Sequence, residues 1–156
     1  MGSKFQPTLL ILVLLQMIPW ISGQYDILPP DNPVIGVIGR GVVLPCQLTV
    51  PIIPERLSVQ WHFDGGSKRT EVASYDGTNA QSPVQEDKDY LGRTNFFWSE
   101  FNGGNLSLFL KNVKPSDKGK YTCNVFYENW YNEVIVDLDV AAKGVESSVF
   151  LDGHVG

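Results

Sequence analysis

The chain is short of the residues that most chemistries need. It has two cysteines, Cys46 and Cys123, and two histidines, His62 and His154, in 156 residues. Neither histidine has a cysteine or carboxylate cluster at metal-ligand spacing, so no metal is expected. No serine sits in a nucleophile-elbow pattern. The Gly39-Arg40-Gly41 segment opens no helix, which makes it a turn and excludes a phosphate loop. Asp137 and Asp139 could be named paired carboxylates, but they point outward on a strand and are expected to be a solvated face. No enzyme and no cofactor are therefore expected, nor a small-molecule substrate. Basic residues are also few, 12 against 17 acidic, for a net charge of −5, which argues against nucleic acid. There is no internal repeat and no low-complexity run.

Long apolar runs are missing as well. Leu9 to Ile21, broken by Gln16 and Pro19, is too short to span a bilayer. With Lys4 before it and Ile21-Ser22-Gly23 after it, residues 1–23 read as a signal peptide cleaved before Gln24; the alternative is an uncleaved anchor. Cleavage removes one charged residue, Lys4, and takes the net charge from −5 to −6. A secreted chain enters an oxidising compartment, where a disulfide can persist.

What is present is strand-like alternation. Val42, Leu44, Cys46 and Leu48 share a parity, as do Leu57, Val59, Trp61 and Phe63. So do Leu106, Leu108 and Leu110, then Tyr121, Cys123 and Val125, then Val134, Val136, Leu138 and Val140. Successive side chains of a strand face opposite sides, so these sets predict the inner faces of an all-β sandwich. Val34 to Ile38 predicts a first edge strand after a Pro- and Asp-rich lead-in from Gln24 to Pro33. Glu71 to Tyr75 with Asp76-Gly77 predicts a hairpin. Phe96 and Trp98 share a parity and are expected inside, and Asn102-Gly103-Gly104 reads as a hairpin turn.

Lys114 to Cys123 organises the rest. A tyrosine two residues before a cysteine, Tyr121 and Cys123, with Trp61 fifteen residues after Cys46, resembles a variable-type immunoglobulin domain. The alternative is two unrelated cysteines in some other β-protein. The resemblance implies a Cys46–Cys123 bridge between two sheets with Trp61 packed on it. It implies a tyrosine corner at Tyr121, an Arg93–Asp117 pair closing one end of the sandwich, and a domain over residues 24–141. The segments 89–94, 104–113 and 116–123 look like the amino-terminal domain of the butyrophilins, myelin oligodendrocyte glycoprotein and the T-cell costimulatory ligands. Family members usually continue into a second domain, an anchor and a tail. Residues 142–156 are expected to be a loosely ordered tail, with Ser147 to Leu151 resembling the first strand of a second domain, as in a truncated isoform or incomplete product.

Two features bear on function. Asn105-Leu106-Ser107 is an N-glycosylation sequon, expected to be exposed, and a glycan at Asn105 would shield its own sheet. Phe126-Tyr127-Glu128-Asn129-Trp130-Tyr131 joins the last two strands, where an antibody domain carries its third hypervariable loop. Aromatic anchors among polar residues are typical of binding hot spots. The alternative is that Trp130 or Tyr131 folds back over the core. The expected recognition surface is Gln60, His62, Asn124, Phe126, Tyr127, Trp130 and Tyr131. The family resemblance implies a butyrophilin-like ligand that binds a protein receptor on a T cell and regulates T-cell receptor signalling and cytokine production. The alternatives are a homophilic adhesion module of myelin type and a soluble decoy, so self-association stays open. The location is extracellular: secreted as the chain stands, or outside the plasma membrane if the full product is anchored.

Overall fold

A computed structural model describes residues 24–144 except 80 and 82. The signal peptide expected over residues 1–23 and the strand expected at Ser147 to Leu151 lie outside the described residues. Two sheets pack face to face. The front sheet is built from β1 (Val34–Val37), β3 (Leu57–Asp64), β4 (Arg69–Asp76), β5 (Val84–Glu86), β8 (Gly119–Tyr127) and β9 (Trp130–Ala141). The back sheet has β2 (Val42–Leu44), β6 (Thr94–Phe96) and β7 (Leu108–Leu110), and a single helical turn, α1 (Trp98–Phe101), follows β6. Spatial order is β1-β9-β8-β3-β4-β5 in front and β2-β7-β6 behind. β1 runs parallel to β9, and every other pairing is antiparallel.

The alternating apolar sets meet between the sheets. Leu44, Leu57, Val59, Trp61, Leu106, Leu108, Leu110, Tyr121, Cys123 and Val125 are fully buried. A disulfide joins Cys46 and Cys123, linking the sheets across a Cα separation of 6.5 Å. Trp61 is the cross-strand neighbour of Cys123. Its indole N–H, costly to bury unpaired, donates to the Leu106 carbonyl at 3.2 Å. The Tyr121 hydroxyl donates to the Asp117 carbonyl at 2.7 Å. Burial pushes the pKa of that hydroxyl well above its ordinary value, so it remains a donor. Arg93 grips both carboxylate oxygens of Asp117 at one end of the sandwich, and both side chains are largely buried.

Within the lead-in, Ile27 bridges to Leu48 and is buried, its apolar side chain closing the core beside β2. Two expectations need correction, those for Trp98 and for Asn102-Gly103-Gly104. Trp98 is 51 % exposed, since the chain leaves the strand after Phe96 and coils into α1, which turns Phe101 inward in its place. Asn102-Gly103-Gly104 is therefore the end of a longer connection through α1, not a tight hairpin turn. The last strand, β9, lies one strand in from the edge, between β1 and β8. Its outward carboxylates are solvated as expected, with Asp137 and Asp139 paired to Lys120 and Lys118 at 2.7 and 3.4 Å.

Candidate recognition face

β8 and β9 are joined by only two residues, Glu128 and Asn129, with Glu128 at φ +54°. The stretch expected as a binding loop joining the last two strands is instead two strand ends and a tight turn. That turn fixes the register: Phe126 pairs with Tyr131, and Tyr127 with Trp130. Paired residues of an antiparallel ladder share a face, so the four aromatics divide by parity. Phe126 and Tyr131 stand outward, 43 % and 49 % exposed, with ring centroids 4.6 Å apart. Tyr127 turns inward and is buried, its hydroxyl accepting from the Ile53 N–H at 3.1 Å. Trp130 is half-buried on the same side. Tyr25, from the amino-terminal segment, packs on both, with centroids 5.3 Å from Tyr127 and 5.7 Å from Trp130. Tyr127 and Trp130 thus belong to the core side, and their place in the expected surface is corrected. Trp130 follows the alternative in which an aromatic folds back.

Beside the exposed pair lies a polar chain. Asn124 has outward parity but is buried, covered by His62 and Tyr131, and this corrects its expected exposure. Its Nδ2 lies 2.8 Å from His62 Nδ1 and 3.4 Å from the Gln60 carbonyl. Its Oδ1 accepts from the Tyr131 hydroxyl at 3.0 Å. Glu133, absent from the sequence-based set, presents Oε2 2.9 Å from the same hydroxyl. Its signal was available, because Glu133 shares the parity of Tyr131 on β9. Burial lowers the pKa of His62, with Arg69 acting in the same sense and Glu71 and Asp64 opposing. His62 and Gln60 are half-buried. Gln60 opens onto a cleft of about 250 Å³ that is also lined by Ser58, Glu71, Ser74 and Asp76. The face therefore joins an aromatic pair to an acidic, hydrogen-bonding surround.

The sequon lies on the other sheet. Asn105 bridges to Gln47, extending the β2–β7 ladder. It is half-buried rather than open, because its Nδ2 donates to Glu100 at 2.7 Å and its Oδ1 accepts from the Ser107 N–H. Among the described residues, no group of three or more His, Cys, Asp or Glu side chains could hold a metal ion.

This disulfide-linked double sheet has counterparts among known proteins. The immunoglobulin V-set domain family matches residues 30–141. The chain belongs to the immunoglobulin V-set family. Among V-set relatives, butyrophilin subfamily 1 member A1 of Bos taurus is 30% identical over 141 residues, covering 90% of this chain and 26% of that protein. The Homo sapiens protein of the same name is 30% identical over 148 residues, 95% of this chain and 28% of that one. The CD276 antigen homolog of Xenopus laevis is 32% identical over 135 residues, 85% of this chain and 42% of that one. The chain thus spans about a quarter of the butyrophilins it matches. The crystal structure of bovine butyrophilin superposes with TM-score 0.63 at 27% identity, over 77% of this chain and 56% of that one. The human B7-H4 IgV-like domain, at 24% identity and TM-score 0.60 over 75% of this chain and 96% of that one, shares the fold. V-set domains of butyrophilin and B7 type are extracellular receptor or ligand domains, not enzymes. Among the described residues no helix is long and apolar enough to cross a membrane.

Proposed function

We propose that this V-set domain is the recognition domain of a butyrophilin-like ligand that binds a protein receptor on a T cell and regulates T-cell receptor signalling and cytokine production. The observation that carries the reading is the exposed Phe126–Tyr131 pair on the front sheet, ringed by Gln60, His62 and Glu133. An aromatic pair with its rings in tilted contact offers contact area at small entropic cost, and such anchors dominate interface energetics. Similarity to the butyrophilins and to the CD276 homolog supports an immune-regulatory ligand.

The test is a binding screen against T-cell surface receptors, followed by single substitutions. Tyr131→Ala and Phe126→Ala should each weaken binding about tenfold or more, about 1.4 kcal/mol, with circular dichroism unchanged. Trp130→Ala should act mainly on stability, because its ring packs on Tyr25. Full affinity in both folded front-sheet variants, with loss on changing Lys111 of the back sheet, refutes the assignment. Clear self-association in sedimentation at high micromolar concentration favours homophilic adhesion instead.

A glycan on Asn105 would complement this face by covering the opposite sheet. Protein secreted from mammalian cells should gain mobility on treatment with peptide-N-glycosidase, and Asn105→Gln should abolish that change. Wild-type protein indifferent to the enzyme would show Asn105 to be unmodified.

A further inference from the structure

The Tyr131 hydroxyl has two acceptors and one proton. Asn124 Oδ1 lies 3.0 Å away on one side and Glu133 Oε2 2.9 Å away on the other. It donates to one of them at a time. The Asn124 amide in turn presents its N–H to His62 Nδ1 at 2.8 Å. With the amide in this orientation Nδ1 accepts, which is the role of the neutral ring carrying its proton on Nε2. We propose that His62, acting through Asn124, decides which acceptor the Tyr131 hydroxyl serves, and that protonation of His62 hands Tyr131 from Asn124 to Glu133.

The hydrogen bonds dictate the sequence of events. Protonated His62 carries a proton on Nδ1 as well, and two donors then face each other across 2.8 Å. Rotating the Asn124 amide by half a turn places Oδ1 against Nδ1–H and the NH2 group against the Tyr131 oxygen. That oxygen now accepts, and its own proton points to Glu133. The weak 3.4 Å contact from Nδ2 to the Gln60 carbonyl is given up in exchange. Asn124 is buried, so water does not compete for its amide, and the amide orientation must follow the ring.

The charged surroundings of His62 set where this happens. Arg69 and Glu71 approach from β4, Asp64 lies on β3 itself, and Tyr131 and Glu133 stand on β9. Lys120 on β8 is held by Asp137. Burial and Arg69 outweigh Glu71 and Asp64, so the ring protonates below its ordinary value of 6.5 and stays neutral at pH 7.

The consequence for binding rests on the proposed function. At neutral pH the Glu133 carboxylate beside the aromatic pair is available to a donor or cation on the receptor. In acid its Oε2 holds the Tyr131 proton, and recognition through that oxygen weakens. The relay itself is tested without a receptor. In the full chain, isotope-labelled on His, Asn and Tyr, NMR is followed from about pH 7.5 to about pH 5, the range in which histidine titrates. His62 should show an unprotonated Nδ1 at neutral pH and a midpoint below 6.5. The Asn124 side-chain NH2 and Tyr131 ring signals should move with that same midpoint. In His62→Gln they should stop moving. In Asn124→Ala, His62 should still titrate while Tyr131 no longer follows. Asn124 and Tyr131 signals that stay constant through the His62 titration overturn the proposal, and this wild-type result decides the matter even if a variant fails to fold. Persistence of the shifts in His62→Gln, or a Tyr131 that still follows in Asn124→Ala, overturns it equally.

Discussion

Replacing Cys46 and Cys123 together by alanine should lower the free energy of unfolding by about 4 kcal/mol. The bridge closes a sequence separation of 77 residues, and constraining the unfolded chain over such a loop contributes about that much in the chain-entropy model. Whole domains are stable by only about 5–15 kcal/mol, so most of the margin would go. The loss is also local. Cys46 lies just past β2 in the back sheet, and Cys123 sits mid-strand in β8 of the front sheet, beside Trp61. The two sheets share no strand pairing, so the sulfur bridge is the covalent tie across the core. Equilibrium unfolding in guanidinium, read by tryptophan fluorescence, measures the effect. An unchanged midpoint would mean that packing alone holds the sheets together.

Arg93→Ala should cost about 3 kcal/mol, the range seen when one partner of a buried pair is removed. The guanidinium does more than neutralise Asp117. It donates to the carbonyls of Lys111 at 3.3 Å and Asn112 at 3.2 Å, and it lies 5.5 Å from the centre of the Tyr90 ring. Asp117 also accepts from the Lys114 N–H at 2.8 Å and lends its carbonyl to Tyr121. Removing the arginine leaves a buried carboxylate facing its own tyrosine corner with only that N–H as compensation. Arg93→Lys should recover part of the loss, because an ammonium supplies charge without the two-pronged geometry. Differential scanning calorimetry provides the check. A melting temperature equal to wild type in Arg93→Ala would show that the pair contributes nothing net. Binding through the front face should survive at temperatures where the variant is folded.

The β8–β9 hairpin shows where sequence reasoning stops. The aromatic content of Phe126 to Tyr131 was visible, and so was the choice between a binding patch and a core cover. The structure divides the stretch between both roles. Phe126 and Tyr131 stand outward as a pair, while Tyr127 and Trp130 cover the core beneath Tyr25. That division follows from a two-residue turn, whose length depends on where pairing ends. Tyr25 is a partner about a hundred residues away, beyond the reach of any local pattern. Trp98 failed for a related reason: parity holds only while the chain stays extended, and it coils after Phe96.

Alternation of side chains along a strand is a local property, imposed by backbone geometry at every residue. For that reason the inner faces at Val42–Leu48, Leu57–Trp61, Leu106–Leu110 and Tyr121–Val125 could be read directly from the chain. The order and spacing of Cys46, Trp61, Tyr121 and Cys123 carried the fold by another route, their resemblance to variable-type immunoglobulin domains. Hydrogen bonds between side chains on different strands depend instead on register, which is settled only when the whole sheet assembles. The contact of His62 with Asn124, the two acceptors of Tyr131, and the burial of an asparagine with outward parity all arise there. Local geometry thus accounts for which residues make the core, and strand register for which outward residues act together on the recognition face.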